Sequence, residues 1–253
     1  MSIPVHYEFA GTVILVTGGA SGIGAAVARY CGEHGATVVA LDVSADRLRS
    51  IEGGPGIDAR RVDVADSGAV RALIEDLDRR YGRIDAAVLG AAIQARAPIE
   101  TMSDALWRAH MAVNVDGVFH CLREIMPIMK RQRSGAIVAF TSGLVGMGWP
   151  GAAAYAASKG AILGLMKSAA AELRDFGVRA NVLSPGLMAT PIWLDASDEK
   201  ERAFYASSIG ISSPEAVVPS VLHLISDAST GLTGAVIERR MVGSEDPRAT
   251  DKN

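Results

Sequence analysis

The sequence predicts a doubly wound α/β fold, a seven-stranded parallel sheet with helices on both faces and three α/β/α layers in all. Three observations carry that expectation. Short runs rich in β-branched residues alternate with longer helical patterns along the chain. The runs are apolar without polar alternation, as strands covered on both faces must be. Several helical segments close on a glycine suited to a left-handed cap, namely Gly35, Gly82 and Gly177. Strict strand, helix, strand order brings right-handed crossovers and hence parallel pairing.

Taken in order, the strands are expected at "TVILVT" (12–17), "ATVVALD" (36–42), "ARRVDV" (59–64), "DAAVLG" (85–90), "GAIVAFTS" (135–142), "VRANVLSP" (178–185) and "GAVIE" (234–238). Helical patterns fall near 22–34, 67–81, 103–131, 153–176 and 214–226. The least regular stretch is 187–213, an insertion between the sixth strand and the next helix. Ligands of doubly wound sheets lie beyond the carboxyl ends of the strands, so this insertion is expected to be a substrate lid. No linker or repeat divides the 253 residues, and one domain over 1–253 is expected.

Hydrophobic content of 49% and charged content of 21% fit a soluble globular protein. A formal charge of −3 without an extended basic run gives no nucleic-acid footprint. Cys31 and Cys121 form no CxxC or disulfide framework, which favours a reducing cytosol and a cytoplasmic protein. The opening "MSIPVHYEFAG" lacks the pattern of a signal peptide. No apolar run approaches the roughly 20 residues that cross a bilayer, so no membrane association is expected. None of His6, His34, His110, His120 and His223 has metal-ligand spacing, and no metal is expected.

After the first strand comes "TGGASGIGAAVARY", with Gly18, Gly22 and Gly24 spaced G-x-x-x-G-x-G where a helix opens. Glycine lets backbone approach a pyrophosphate, and a helix N-terminus supplies N–H groups and positive potential. The second strand ends at Asp42, 18 residues beyond Gly24, where a carboxylate would accept the ribose hydroxyls of NAD and repel the 2′-phosphate of NADP. Val43, not an arginine, follows it, so NAD is the expected cofactor. Asp63 and Val64, closing the third strand, are placed to reach the adenine edge.

Residues 151–164, "GAAAYAASKGAILG", carry one phenol and one ammonium among small side chains. At i and i+4 on a helix, Tyr155 and Lys159 share a face. A free phenol has a pKa of about 10, and an adjacent ammonium is expected to lower it. Such a phenol can take a proton from an alcohol, or return one to a carbonyl, while hydride moves to or from a nicotinamide. Ser142, at the end of the fifth strand, precedes Tyr155 by 13 residues.

These motifs, with "TGGASGIG" (17–24), "VNVDGVFH" (113–120), "TS" (141–142), "YAASK" (155–159), and "NVLSPG" with Thr190, resemble the short-chain dehydrogenase/reductase family over about residues 10–238. The resemblance implies a Rossmann-type fold and an NAD(P)-dependent oxidoreductase acting on CH–OH. It implies Tyr155 as general acid/base, and Lys159 as the group that lowers its pKa and holds the nicotinamide ribose. Ser142 would hydrogen-bond the substrate oxygen and Asn114 support a proton-relay water. It also implies Ser21, Ile23 and the three glycines at the phosphates, Ala91 beside the adenosine, and Pro185, Gly186 and Thr190 around the nicotinamide. A homotetramer or homodimer built on the 103–131 and 153–176 helices is implied too.

Two stretches depart from the family pattern. "LGAA" (89–92) replaces Asn-Asn-Ala-Gly, removing polar residues that tie this loop to its neighbours, and "ERRMVGSEDPRATDKN" (238–253) replaces the Asp-Gly-Gly ending, leaving 239–253 as an atypical tail. Leu144, Val145, Met147 and Trp149 follow Ser142, and the lid offers Met188, Trp193, Leu194, Phe204 and Tyr205. Apolar lining with few fixed charges predicts a hydrophobic or aromatic secondary alcohol or ketone as substrate. An NADPH-dependent reductase of 3-oxoacyl thioesters or other carbonyl compounds stays as an alternative, as does a non-catalytic dinucleotide-binding protein.

Overall fold

The computed structural model describes residues 5–208 and 210–239. Seven strands form one sheet: β1 (Val13–Thr17), β2 (Thr37–Asp42), β3 (Ile57–Arg61), β4 (Ala86–Leu89), β5 (Gly135–Phe140), β6 (Val178–Ser184) and β7 (Val236–Glu238). Their order is β3-β2-β1-β4-β5-β6-β7, every neighbouring pair parallel. The chain leaves β1 towards β2 on one side and later returns to lay β4 on the other, which opens a crevice above the carboxyl ends of β1 and β4.

All residues of β1 and β4 are buried, as the unbroken apolar runs require. Alternate side chains feed two cores. Leu15, Leu89 and Ile137 pack on one face with Leu73 of α3 (Ser67–Tyr81), Ile125 of α5 (Gly117–Gln132) and Met166 of α7 (Ala153–Leu173). Ile14, Val16 and Val138 pack on the other with Val27 of α1 (Gly22–Glu33) and Val221 of α10 (Val218–Ile225). Each such fully buried aliphatic contributes about 1.5–3 kcal/mol relative to exposure.

Helix starts and stops follow local chemistry. Asp66 caps α3 by accepting the N–H groups of Gly68 and Ala69 at 2.9 and 3.0 Å, and Gly82 ends it at φ 66°. Ser44, not Asp42, caps the short α2 (Ala45–Arg49), accepting from Arg47 N–H at 3.3 Å.

Three expectations change. The third strand runs over 57–61 rather than 59–64, pairing Val38 with Ile57 and Asp42 with Arg61. Gly56 fixes that register: it has φ +66°, and a Cβ there would stand 2.2 Å from the Ala36 carbonyl oxygen. Asp63 and Val64 therefore lie in the loop beyond β3. The long 103–131 helix is three pieces, α4 (Asp104–Met111), a π-helical turn over Ala112–Asp116 and α5. π-turns are often tied to function, and this one contains Asn114. Finally, the 187–213 insertion is ordered by α8 (Pro191–Ala196) and α9 (Glu199–Ser208). Its ends are joined where Ser212 N–H donates to Leu187 O at 2.9 Å and Ala189 N–H to Ser212 O at 2.8 Å. The atypical C-terminal tail lies outside the described residues apart from Arg239, whose Nη1 donates to Pro185 O at 3.0 Å.

Candidate active site

A cavity of about 520 Å³ occupies the crevice above the strand tips. Its first wall is the β1–α1 turn. Gly18 and Gly22 have φ of +66° and +51°, which glycine adopts without strain. Gly24 allows turn and helix to touch, because a Cβ there would stand 2.2 Å from Gly18 O. Ser21 precedes α1 without capping it through its side chain, and the first turn holds no acidic residue. The opening N–H groups and the positive end of the helix dipole are thus left for an anion. Gly18, Ser21, Gly22, Ile23 and Gly24 all border the cavity, a cradle of small residues and free donors that fits a dinucleotide pyrophosphate.

Asp42, 7% exposed, borders the same cavity from the end of β2. Its Oδ1 accepts Ser44 N–H at 2.9 Å, so one carboxylate oxygen is held by the loop. Asp63, Val64 and Ala91 also border the cavity despite the shifted strand. Arg47, which belongs to none of the motifs, joins this wall from α2. Its signal was its place in the first turn after β2, not adjacency to Asp42.

The "LGAA" loop is supported from elsewhere. Thr17 accepts Gly90 N–H through its carbonyl and Ala91 N–H through its hydroxyl, both at 3.1 Å. Asn114, fully buried, accepts Ile93 N–H at 2.8 Å, and its Nδ2 donates to Ile93 O at 3.0 Å and Ser158 Oγ at 2.9 Å. Ser158 Oγ donates in turn to Tyr155 O at 2.7 Å, linking loop, π-turn and α7. His110, without metal-ligand spacing in the sequence, ties the same loop. Its Nε2 accepts Ala95 N–H at 3.1 Å, which assigns the proton to Nδ1, the donor to Leu106 O at 2.9 Å. The polar ties expected to be missing thus come from three other elements.

Replacing Asn114 by Leu strands buried backbone groups of Ile93 and the Ser158 hydroxyl at once. We expect urea unfolding to register a loss of about 2–4 kcal/mol. A change below about 0.5 kcal/mol would show that this loop is held in some other way.

At the other end, Ser142 follows β5, and Tyr155 and Lys159 stand one turn apart on α7; all three border the cavity. Thr141 Oγ donates to Lys159 O at 3.0 Å and clamps the tip of β5 to α7. Lys159 is 5% exposed, with Nζ 5.8 Å from the centre of the Tyr155 ring. Burial pushes its ammonium down to about 8. Burial also pushes the Tyr155 phenol up to about 12, while a hydrogen bond with Ser142 pulls the other way. The expectation that Lys159 lowers the phenol is therefore not met in the polypeptide alone. The same desolvation that raises the phenol also weakens the charge of its helper.

Pro185, Gly186 and Thr190 border the cavity between the two ends, and Thr190 Cγ2 lies 3.0 Å from where a Cβ on Gly22 would be. Leu144, Met188 and Trp193 border it as expected. Met147 is 65% exposed and lies outside the lining. Trp149 is also outside it and packs at 5.3 Å between ring centres on Tyr205, which does border the cavity and meets Trp193 edge-on at 6.5 Å. Val145 and Phe204 are exposed. The wall is less apolar than expected, because Gln94, Arg96, Asp195 and Glu201 belong to it. Cys31 and Cys121 are buried free thiols, pushed up to about 12 by desolvation. Among the described residues no cluster of three His, Cys, Asp or Glu could hold a metal, and no helix is long and apolar enough to cross a membrane.

Residues 12–201 match the family described as short chain dehydrogenase. The chain belongs to this family. The 3-oxoacyl-[acyl-carrier-protein] reductase FabG of Thermotoga maritima is 38% identical over 235 residues, covering 90% of this chain and 95% of its own. Among solved structures, NAD+-bound xylitol dehydrogenase superposes with a TM-score of 0.84 at 28% identity, covering 92% of this chain and 99% of that one. A protein of Beutenbergia cavernae, provisionally assigned as an NAD(P)-dependent gluconate 5-dehydrogenase and holding NADP at low occupancy, gives 0.84 at 34% identity, with 91% and 96% covered. As a short-chain dehydrogenase the chain is an oxidoreductase acting between CH–OH groups and ketones.

Proposed function

We propose that this short-chain dehydrogenase transfers hydride between NAD and a hydrophobic or aromatic secondary alcohol or ketone, with Tyr155 as general acid/base. The observation that carries the reading is the sharing of one cavity by Ser142, Tyr155, Lys159 and the uncapped N-terminus of α1. Bound there, a nicotinamide dinucleotide supplies a hydride acceptor or donor. The α1 turn would hold its pyrophosphate, Asp42 its adenosine ribose, Asp63, Val64 and Ala91 its adenine side, and Pro185, Gly186 and Thr190 its nicotinamide.

The chain's own groups handle the proton. In the reducing direction the phenol of Tyr155 gives its proton to the substrate oxygen as charge develops there, and Ser142 donates a hydrogen bond to the same oxygen. Oxidation reverses both transfers. Lys159, next to the phenol, stabilises the phenolate whenever it is itself charged. Asn114, fully buried and outside the cavity lining, commits both amide hydrogens to Ile93 and Ser158 and its Oδ1 to Ile93 N–H, and would support a relay water only by holding the Ile93 loop and α7 in place. Leu144, Met188, Ile192 and Trp193 supply the apolar surface.

A second reading, reduction with NADPH, is favoured by one observation: Arg47 shares the Asp42 wall, and a guanidinium there would attract a 2′-phosphate. The experiment is a panel of apolar ketones and alcohols assayed with both nucleotides, on the native chain and on Asp42→Ala. NAD preference is expected in the native chain, and in the variant the ratio of KM values should narrow by about ten-fold or more as like-charge repulsion is removed. A native preference for NADP would overturn the NAD assignment. Turnover of 3-oxoacyl thioesters above all other substrates would favour the second reading.

A further inference from the structure

The chain end that departs from the family pattern meets the cavity wall from behind. Arg239 follows β7 and is not itself part of the cavity lining. Its N–H donates to Ser184 O at 2.9 Å, extending the pairing of β7 with β6 by one residue. Its side chain reaches the segment that leaves β6. There Nη1 donates to Pro185 O at 3.0 Å and lies 4.0 Å from Met188 Sδ. Gly186, between those two residues, has φ +81°, and a Cβ on it would stand 3.2 Å from Arg239 O. Pro185, Gly186 and Met188 all border the cavity. The guanidinium therefore stands one layer behind the wall assigned above to the nicotinamide.

Its charge is not balanced there. Pro185 O and Met188 Sδ are neutral, and among the described residues no carboxylate pairs with Arg239. Strand alternation places Glu238 on the other face of β7. Burial pushes the guanidinium below its ordinary value, yet arginine keeps its charge in a protein. A partly buried charge of this kind is screened less by water and salt than an exposed one. The oxidised nicotinamide ring is a cation and the reduced ring is neutral, whereas the pyrophosphate, riboses and adenine are the same in both forms. A fixed cation behind the ring thus acts on the one feature that distinguishes them. Of the other charges in the wall, Lys159 acts in the same sense, Asp195 opposes it, and Arg96 and Glu201 balance each other.

We propose that Arg239 sets a preference for the reduced over the oxidised nucleotide, its charge disfavouring the cationic ring through the Pro185–Met188 wall. The proposal rests on the dinucleotide reading of this cavity and holds for either nucleotide, since it concerns the ring and not the 2′ position. Arg239 touches neither nucleotide nor substrate and acts through the wall that it holds. After a ketone is reduced, the oxidised form is the one that leaves readily.

The test is isothermal titration calorimetry with the oxidised and the reduced form of the nucleotide that the native chain uses. It is run on the native chain, on Arg239→Lys, which keeps the charge, and on Arg239→Gln, which keeps a donor for Pro185 O without the charge. The native chain should bind the reduced form at least about ten-fold more tightly. Arg239→Gln should cut that ratio by about five-fold or more, mainly through tighter binding of the oxidised form, while Arg239→Lys should keep it within about two-fold. Arg239→Met, with the ratio expected of Arg239→Gln, takes its place should near-ultraviolet circular dichroism show that the Gln variant has lost its packing. Equal affinity of the native chain for both forms overturns the proposal. So does an equal change of both Kd values in the uncharged variant, as a purely structural role would give, or a ratio in Arg239→Lys that falls as far as in Arg239→Gln. All three results leave the dinucleotide reading intact. Binding of neither form of NAD or NADP by the native chain overturns that reading and the proposal with it.

Discussion

Replacing Tyr155 by Phe is expected to lower turnover by about 10²–10⁴-fold, the usual contribution of a positioned acid or base, while NADH binding, followed by fluorescence, stays close to native. The ring and its packing remain; only the oxygen to which we assign the proton transfer is lost. The titration of this group gives the effect a pH signature. With the phenol pushed up to about 12, the free chain holds its proton near neutrality and is poised to donate it to a ketone. Alcohol oxidation needs the phenolate, so its kcat/KM should climb as pH rises from neutrality, whereas ketone reduction should show no such climb. Lys159, pushed down to about 8, loses its charge over the lower part of this range. Lys159→Met should therefore depress oxidation most below about pH 8. Equal pH dependence in both directions would show that another group handles the proton.

Gly24→Ala is expected to be nearly as damaging, for a steric reason. The added methyl would stand 2.2 Å from Gly18 O and 2.8 Å from its carbonyl carbon. Both belong to backbone that cannot move aside without opening the β1–α1 turn. Dinucleotide affinity should fall by about 10²-fold or more as the turn loses its shape, and urea unfolding should show destabilisation of about 1–3 kcal/mol. Gly164→Ala on α7 is the control. Nothing lies within 4 Å of its Cβ position, so the usual helix preference should stabilise that variant by about 0.5–1 kcal/mol. Similar behaviour of the two variants would mean that the close approach at Gly24 does not hold in solution.

Much of this was legible in the residues because the underlying rules are local. Buried parallel strands read as unbroken apolar runs, and glycines in a strand-to-helix turn read as backbone approach. The i, i+4 spacing placed Tyr155 and Lys159 on one face. Errors arose where contacts distant in sequence decide. The start of β3 depends on Gly56 meeting Ala36, which no local pattern shows. The π-turn at Asn114 answers to Ile93, 21 residues away. The loop that had lost its polar residues is held by Thr17 and His110 as well, neither of which stands in the motif. Met147 followed the expected pattern of the turn after Ser142 yet lies in solvent, since the short helix α6 (Leu144–Met147) carries it round to the outside. The pair of Arg96 and Glu201 joins positions 105 apart, a separation at which charge pairing cannot be read from sequence. Desolvation of Tyr155 and Lys159 likewise belongs to the folded core and not to their spacing.

The central claim is that this cavity brings a transferable hydride and the Tyr155 proton to the same carbonyl. It is tested most directly with NADH, or NADPH should that be the nucleotide used, carrying deuterium at the transferable position. An apolar ketone is added and the product alcohol read by mass spectrometry. The account predicts deuterium on the carbinol carbon with the native chain, appearing at least about 10²-fold more slowly with Tyr155→Phe. Alcohol formed without deuterium, or labelled at the native rate by the variant, would contradict it.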